Sequence, residues 1–165
     1  MVKSALKPSL PKKKVLLWLF LADWLLLGVS WVMSVYAYSR LPQETALWLS
    51  LWRGEAVWTE KSLVFFLYPL AQTFFFFLFL FAARFIFFRE SRPDKKAHLL
   101  DLKKEVIYLA LIFINLIFIH FQTSLILLSH RIGKGINWFY FCMLIGVILM
   151  LIPYYYTRGK MLLKG

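Results

Sequence analysis

YSRLPQETALWLSLWRGEAVWTEKSLVFFLYP, residues 38–69, lies between two long apolar runs and is the one stretch patterned by more than hydrophobicity. Pro42 suits the opening of a short helix, because its fixed φ fits the first turn and its missing N–H is not needed there. Gly54 suits the close. Between them Leu47, Trp48, Leu49, Leu51 and Trp52 cover one broad arc of a helical wheel, with Gln43, Ser50 and Arg53 opposite. The pattern predicts an amphipathic helix lying in the membrane surface, its tryptophans at headgroup depth. Glu55, Trp58, Glu60 and Lys61 then lead into the next apolar run.

Working outward, composition requires lipid on both sides of this stretch. The chain is 61% hydrophobic and 19% aromatic over 165 residues, against about 45–50% apolar in ordinary soluble domains. Crossing the hydrocarbon takes about 18 or more apolar residues. Four runs qualify: Val15–Tyr38, Ser62–Phe88, Val106–Leu128 and Ile136–Thr157. The expected fold class is all-α integral membrane. The chain would form a single four-transmembrane-helix bundle over residues 1–165, with an interfacial amphipathic segment between the first two helices. The first run is long for the core of a secretory signal and reads as an anchor.

The net charge of +12 is unevenly placed. Lys3, Lys7, Lys12, Lys13 and Lys14 precede the first run. Arg89, Arg92, Lys95, Lys96, Lys103 and Lys104 separate the second from the third, and Arg158, Lys160 and Lys164 follow the fourth. The connections on the other side are poorer in Lys and Arg, so the positive-inside rule puts both termini in the cytoplasm. Basic charge beside a bilayer binds anionic headgroups, and no nucleic-acid-binding motif competes with that reading. Cys142 is the only cysteine, which excludes an intrachain disulfide; it is expected to pack within the fourth helix.

The 38–69 stretch resembles a bacterial membrane domain of unknown function found at the front of immunity proteins for the sporulation-delaying toxin. The resemblance rests on Leu41-Pro42, Gly54, Trp58, Lys61 and Pro69. It departs at Ala46 and Trp48, where the family carries a Pro and a His, and at Ala56 or Val57, where it carries an Asp. The likeness implies a bacterial inner-membrane protein, immunity-like or signalling, that binds a toxin or ligand across residues 40–61. Pro42, Trp48, Trp52, Gly54, Trp58 and Lys61 would form that interaction segment.

Three polar residues, Asp23, Gln72 and Asn115, fall near mid-bilayer depth on the first three spans. Polar groups there face protein or a water-filled cavity, so the trio reads either as a hydrogen-bonded clamp between helices or as a small proton-responsive pocket. Asn115 and Gln122, seven apart, share a face of the third span, and His120 points elsewhere. His120 is the candidate ligand if a pigment or haem binds. A bis-His site lacks a second imidazole at that depth, because His98 and His130 are expected in loops, and no cofactor is predicted. Gly28, Ser30, Ser34 and Gly146 are small enough to admit a neighbouring helix, and Pro69 is expected to kink the second. The chain carries no phosphate loop, no HExxH and no nucleophile elbow, so catalysis is not expected. An accessory or scaffold subunit that packs on partner helices is the leading expectation.

Overall fold

The computed structural model describes residues 12–49, 56–89, 97–132 and 138–164. Four helices are present: α1 (Lys12–Arg40), α2 (Leu67–Arg89), α3 (Ala97–Ser129) and α4 (Trp138–Lys164). Between α1 and α2 stand two strands, β1 (Glu44–Leu49) and β2 (Ala56–Glu60), and a 3-10 turn, Leu63–Phe66. Each helix contains a span long and apolar enough to cross a membrane: Lys14–Arg40, Leu63–Phe85 (taken with the 3-10 turn), Leu100–Ser129 and Cys142–Met161. α3 is the axis of the bundle, packing against α1, α2, α4 and β1.

The helices are apolar on the outside and carry much of their polarity within. Along α1 the buried positions are Asp23, Leu27, Ser30, Ser34 and Ala37, followed by Leu41 just past its end. They recur at alternating steps of four and three, the spacing that keeps one seam of a helix against a neighbour. Trp18, Leu25 and Val32, on the opposite side, are 70%, 68% and 70% exposed. Lipid is as apolar as leucine, so helices do not associate to hide Leu and Phe. Close packing and interhelical hydrogen bonds hold them together, and the seam of α1 supplies serines and a carboxyl.

The expected amphipathic helix is replaced by an antiparallel hairpin. Glu44 pairs with Glu60, Thr45 with Thr59 and Ala46 with Trp58; the register then slips by one, so that Trp48 faces Val57 and Leu49 faces Ala56. Thr45, Trp48, Val57, Trp58 and Thr59 are β-branched or aromatic and favour a pleated surface. The helical-wheel reading counted Leu and Trp on one arc and gave no weight to a second strand downstream. Of the expected interaction segment, Trp52 and Gly54 lie outside the described residues.

A Cβ built on Gly28 or Gly146 meets nothing within 4 Å, so neither marks a close helix approach; Ser30 and Ser34 occupy the buried seam instead. Pro69 is the third residue of α2, where a missing N–H interrupts no ladder, and the 3-10 turn Leu63–Phe66 leads directly into it. Elsewhere α3 begins at Ala97, which puts the backbone of His98 in its first turn instead of a loop. α4 runs through Pro153 to Lys164, past the expected boundary, and Cys142 is exposed.

α3 ends in a Schellman arrangement. Ile132 N donates to Leu127 O at 3.0 Å and Arg131 N to Leu128 O at 2.8 Å. Arg131 takes the left-handed position with φ 58°, which usually goes to glycine because a Cβ is strained there.

Candidate functional site

The three mid-depth polar residues meet. Asn115 Nδ2 donates to Asp23 Oδ1 at 3.2 Å, and Gln72 Nε2 donates to Asn115 Oδ1 at 2.9 Å. All three side chains are fully buried. α1, α2 and α3 each contribute one residue, so the bond pattern fixes the rotation and depth of every helix in the trio. Asp23 Oδ2 and Gln72 Oε1 are buried with no hydrogen-bond partner among the described residues. Aromatic rings close the layer laterally: Trp24 packs edge-on against Phe76 at 4.7 Å, and Phe20 lies 6.0 Å from Tyr108.

A second polar rung lies about 10.5 Å away along the axis, seven residues on at 1.5 Å each. Ser30 Oγ donates to Gln122 Oε1 at 2.8 Å, and Ser34 Oγ donates to Ser30 O at 2.8 Å. The rung was missed in sequence, although its signal was there: Ser30 follows Asp23, and Gln122 follows Asn115, by the same seven positions. Alongside it Trp31 Nε1 donates to Thr73 Oγ1 at 3.0 Å, joining α1 to α2.

His120 is not part of these rungs. Its ring lies 4.4 Å from the Tyr140 ring of α4, on the α3–α4 interface. Among the described residues no three His, Cys, Asp or Glu side chains are grouped as a metal site would require. The polar layer therefore contains one carboxyl and two amides, a set suited to hydrogen bonding.

The hairpin is fastened to the end of the bundle by groups the sequence reading did not single out. Ala46 N donates to Ser129 Oγ at 2.9 Å, and Tyr68 OH donates to Leu47 O at 2.7 Å. Leu47 is the extra residue of the β-bulge, so Tyr68 satisfies a carbonyl where the ladder is disrupted. Ala46 is fully buried against Leu125, and a larger side chain would hold β1 off α3. Lys61 Nζ donates to Leu41 O at 3.3 Å and lies 5.0 Å from the centre of the Tyr38 ring. Leu41 is buried, and its bond to Lys61 holds the hairpin base; Pro69 is buried in the first turn of α2. Pro42 is exposed beside Leu41, and Trp58 is exposed on β2.

At the other end Glu105 joins α3 to α4. Arg158 Nη1 lies 3.1 Å from Glu105 Oε1, and Tyr155 OH donates to the same oxygen at 2.9 Å. Four helices long and apolar enough to cross a membrane, three of them joined through buried amide, hydroxyl and carboxyl groups, define a multi-pass integral membrane protein. In comparisons with known proteins, the chain matches no family model, no curated protein and no solved structure.

Proposed function

We propose that this chain is a non-catalytic subunit of a larger membrane assembly and that it packs against partner helices through α4. One observation carries the reading. Met143, Val147, Met150, Tyr154 and Met161 are all exposed along one stripe of α4. Their steps of four, three, four and seven repeat the spacing that faces a neighbouring helix on α1. Among the described residues α4 has extended contact with α3 alone, which leaves this stripe open to a partner. Methionine is unbranched and polarizable and moulds itself to irregular protein surfaces. The polar interior supports the same reading, because its amides bond one helix to the next. With the basic segments on the inner side, the hairpin would stand on the outer face of a bacterial inner membrane.

The hairpin supports a second reading. Leu41 and Lys61, two of the residues on which the resemblance to the toxin-immunity domain rests, are bonded to each other at the base of a braced hairpin, and Val57 and Trp58 are exposed on it. A toxin or peptide ligand would be bound there.

Extraction from the native membrane in a mild detergent, followed by sizing, separates the two. Migration within a stoichiometric assembly that Met150→Lys releases supports the subunit reading. A chain that runs alone, with a ligand-dependent phenotype abolished by Trp58→Ala, replaces it with the second.

A further inference from the structure

α3 and α4 leave between them a groove of about 470 Å³ whose walls include Val106, Ala110, Phe113 and Ile117 on one side and Ile148 and Ile152 on the other. Val106 and Tyr155 also line a second hollow of about 300 Å³, so the two adjoin across these side chains. Lys103 and Lys160 stand in this second hollow. The Lys160 ammonium lies 4.7 Å from the centre of the Tyr156 ring, and aromatic rings with Lys are the usual furniture of headgroup depth. Of the two acids beside the mouth on α3, Glu105 receives Arg158 and Tyr155, and Asp101 stands two residues before Lys103.

Length decides what fits. From Val106 to Ile117 is eleven helical steps, about 16 Å at 1.5 Å each. That is close to half of the roughly 30 Å hydrocarbon core. The groove therefore begins at cations and ends near the midplane, the dimensions of one leaflet. A crossing helix would need an apolar seam through both leaflets and would gain nothing from two lysines at one end.

We propose that the groove is a binding site for a single anionic phospholipid, with an acyl chain laid between α3 and α4 and the phosphate at Lys103 and Lys160. The site is separate from the exposed stripe of α4 and does not rest on the subunit reading, since it is measured on the purified chain.

The test is native mass spectrometry of the full chain in mild detergent, titrated with phosphatidylglycerol or with phosphatidylcholine. One phosphatidylglycerol should bind, at least tenfold tighter than phosphatidylcholine. The Lys103→Ala, Lys160→Ala double variant should lose about fivefold in phosphatidylglycerol affinity for each lysine while phosphatidylcholine binding stays unchanged. Ala110→Trp, which fills the groove, should remove both. Equal wild-type affinity for the two lipids, or a double variant as selective as wild type, overturns the proposal. So does a lipid-free groove occupied by a second polypeptide that Ala110→Trp displaces. Both lysines are at the rim, so the double variant decides the matter even if Ala110→Trp aggregates.

Discussion

Asn115 Nδ2 stands 3.2 Å from Asp23 Oδ1, and the other end of the same amide accepts from Gln72, so one side chain bonds to both other helices of the trio. Between helices in lipid such bonds contribute about 0.6 kcal/mol on average and up to about 2. Their larger effect appears when one partner is removed and the others stay buried without a bond.

Asn115→Leu should therefore destabilise the bundle by about 2 kcal/mol, since it leaves both the Asp23 oxygen and the Gln72 amide unpaired. Adding Asp23→Leu should recover part of the loss, because an apolar pair is less costly than half of a polar one. Reversible unfolding in mixed micelles measures both. A single variant as stable as wild type would mean that the layer contributes nothing to folding.

Ser129→Ala removes the acceptor for Ala46 N–H. The exchange rate of that amide should rise about fivefold, equivalent to one hydrogen bond of about 1 kcal/mol, while amides in the middle of α3 keep their protection. Hydrogen exchange resolved to the hairpin reads this directly. Unchanged exchange at Ala46 would show that β1 is held by its strand partner alone.

Tyr68→Phe deletes the donor to the bulge carbonyl of Leu47 and nothing else of its volume. The hairpin should become more sensitive to protease, with about 1 kcal/mol less resistance to local opening. The four helices should remain intact by circular dichroism.

Arg131→Gly should stabilise the end of α3. The left-handed φ of 58° strains any residue with a Cβ, and relief there is worth about 1 kcal/mol. Glycine's extra freedom in the unfolded chain offsets part of that. Thermal unfolding should show a modest rise for Arg131→Gly and a clear fall for Arg131→Val, whose branched side chain resists that conformation most.

The four helices were legible because run length alone identifies a spanning segment, and Asp23, Gln72 and Asn115 stood out because polar residues are conspicuous among so many Leu and Phe. Which face of each helix looks inward was harder to read. On α1 the outward Trp18 and Leu25 are as apolar as the inward Leu27, so hydrophobic periodicity has little contrast. The four-three spacing of Asp23, Ser30 and Ser34 is the better guide. The hairpin was misread for a different reason. Its first strand is held by Ser129 and Tyr68, 83 and 21 residues from the groups they bond, and a local wheel over Pro42–Gly54 cannot register partners that arrive from α2 and α3.

Among the described residues α4 has its extended contact with α3, and this has a meaning for biosynthesis. The hydrogen bonds between fully buried side chains, at Asp23, Gln72, Asn115, Ser30 and Gln122, all join α1, α2 and α3, and the hairpin also rests on α2 and α3. A nascent chain that has released α3 into the bilayer already holds every residue needed to close its polar interior. The last helix then arrives at a finished three-helix unit. A chain truncated after Ile132 would present a membrane intermediate in which the Asp23–Asn115–Gln72 and Ser30–Gln122 bonds are already made, leaving α4 to be recruited from the lipid afterwards.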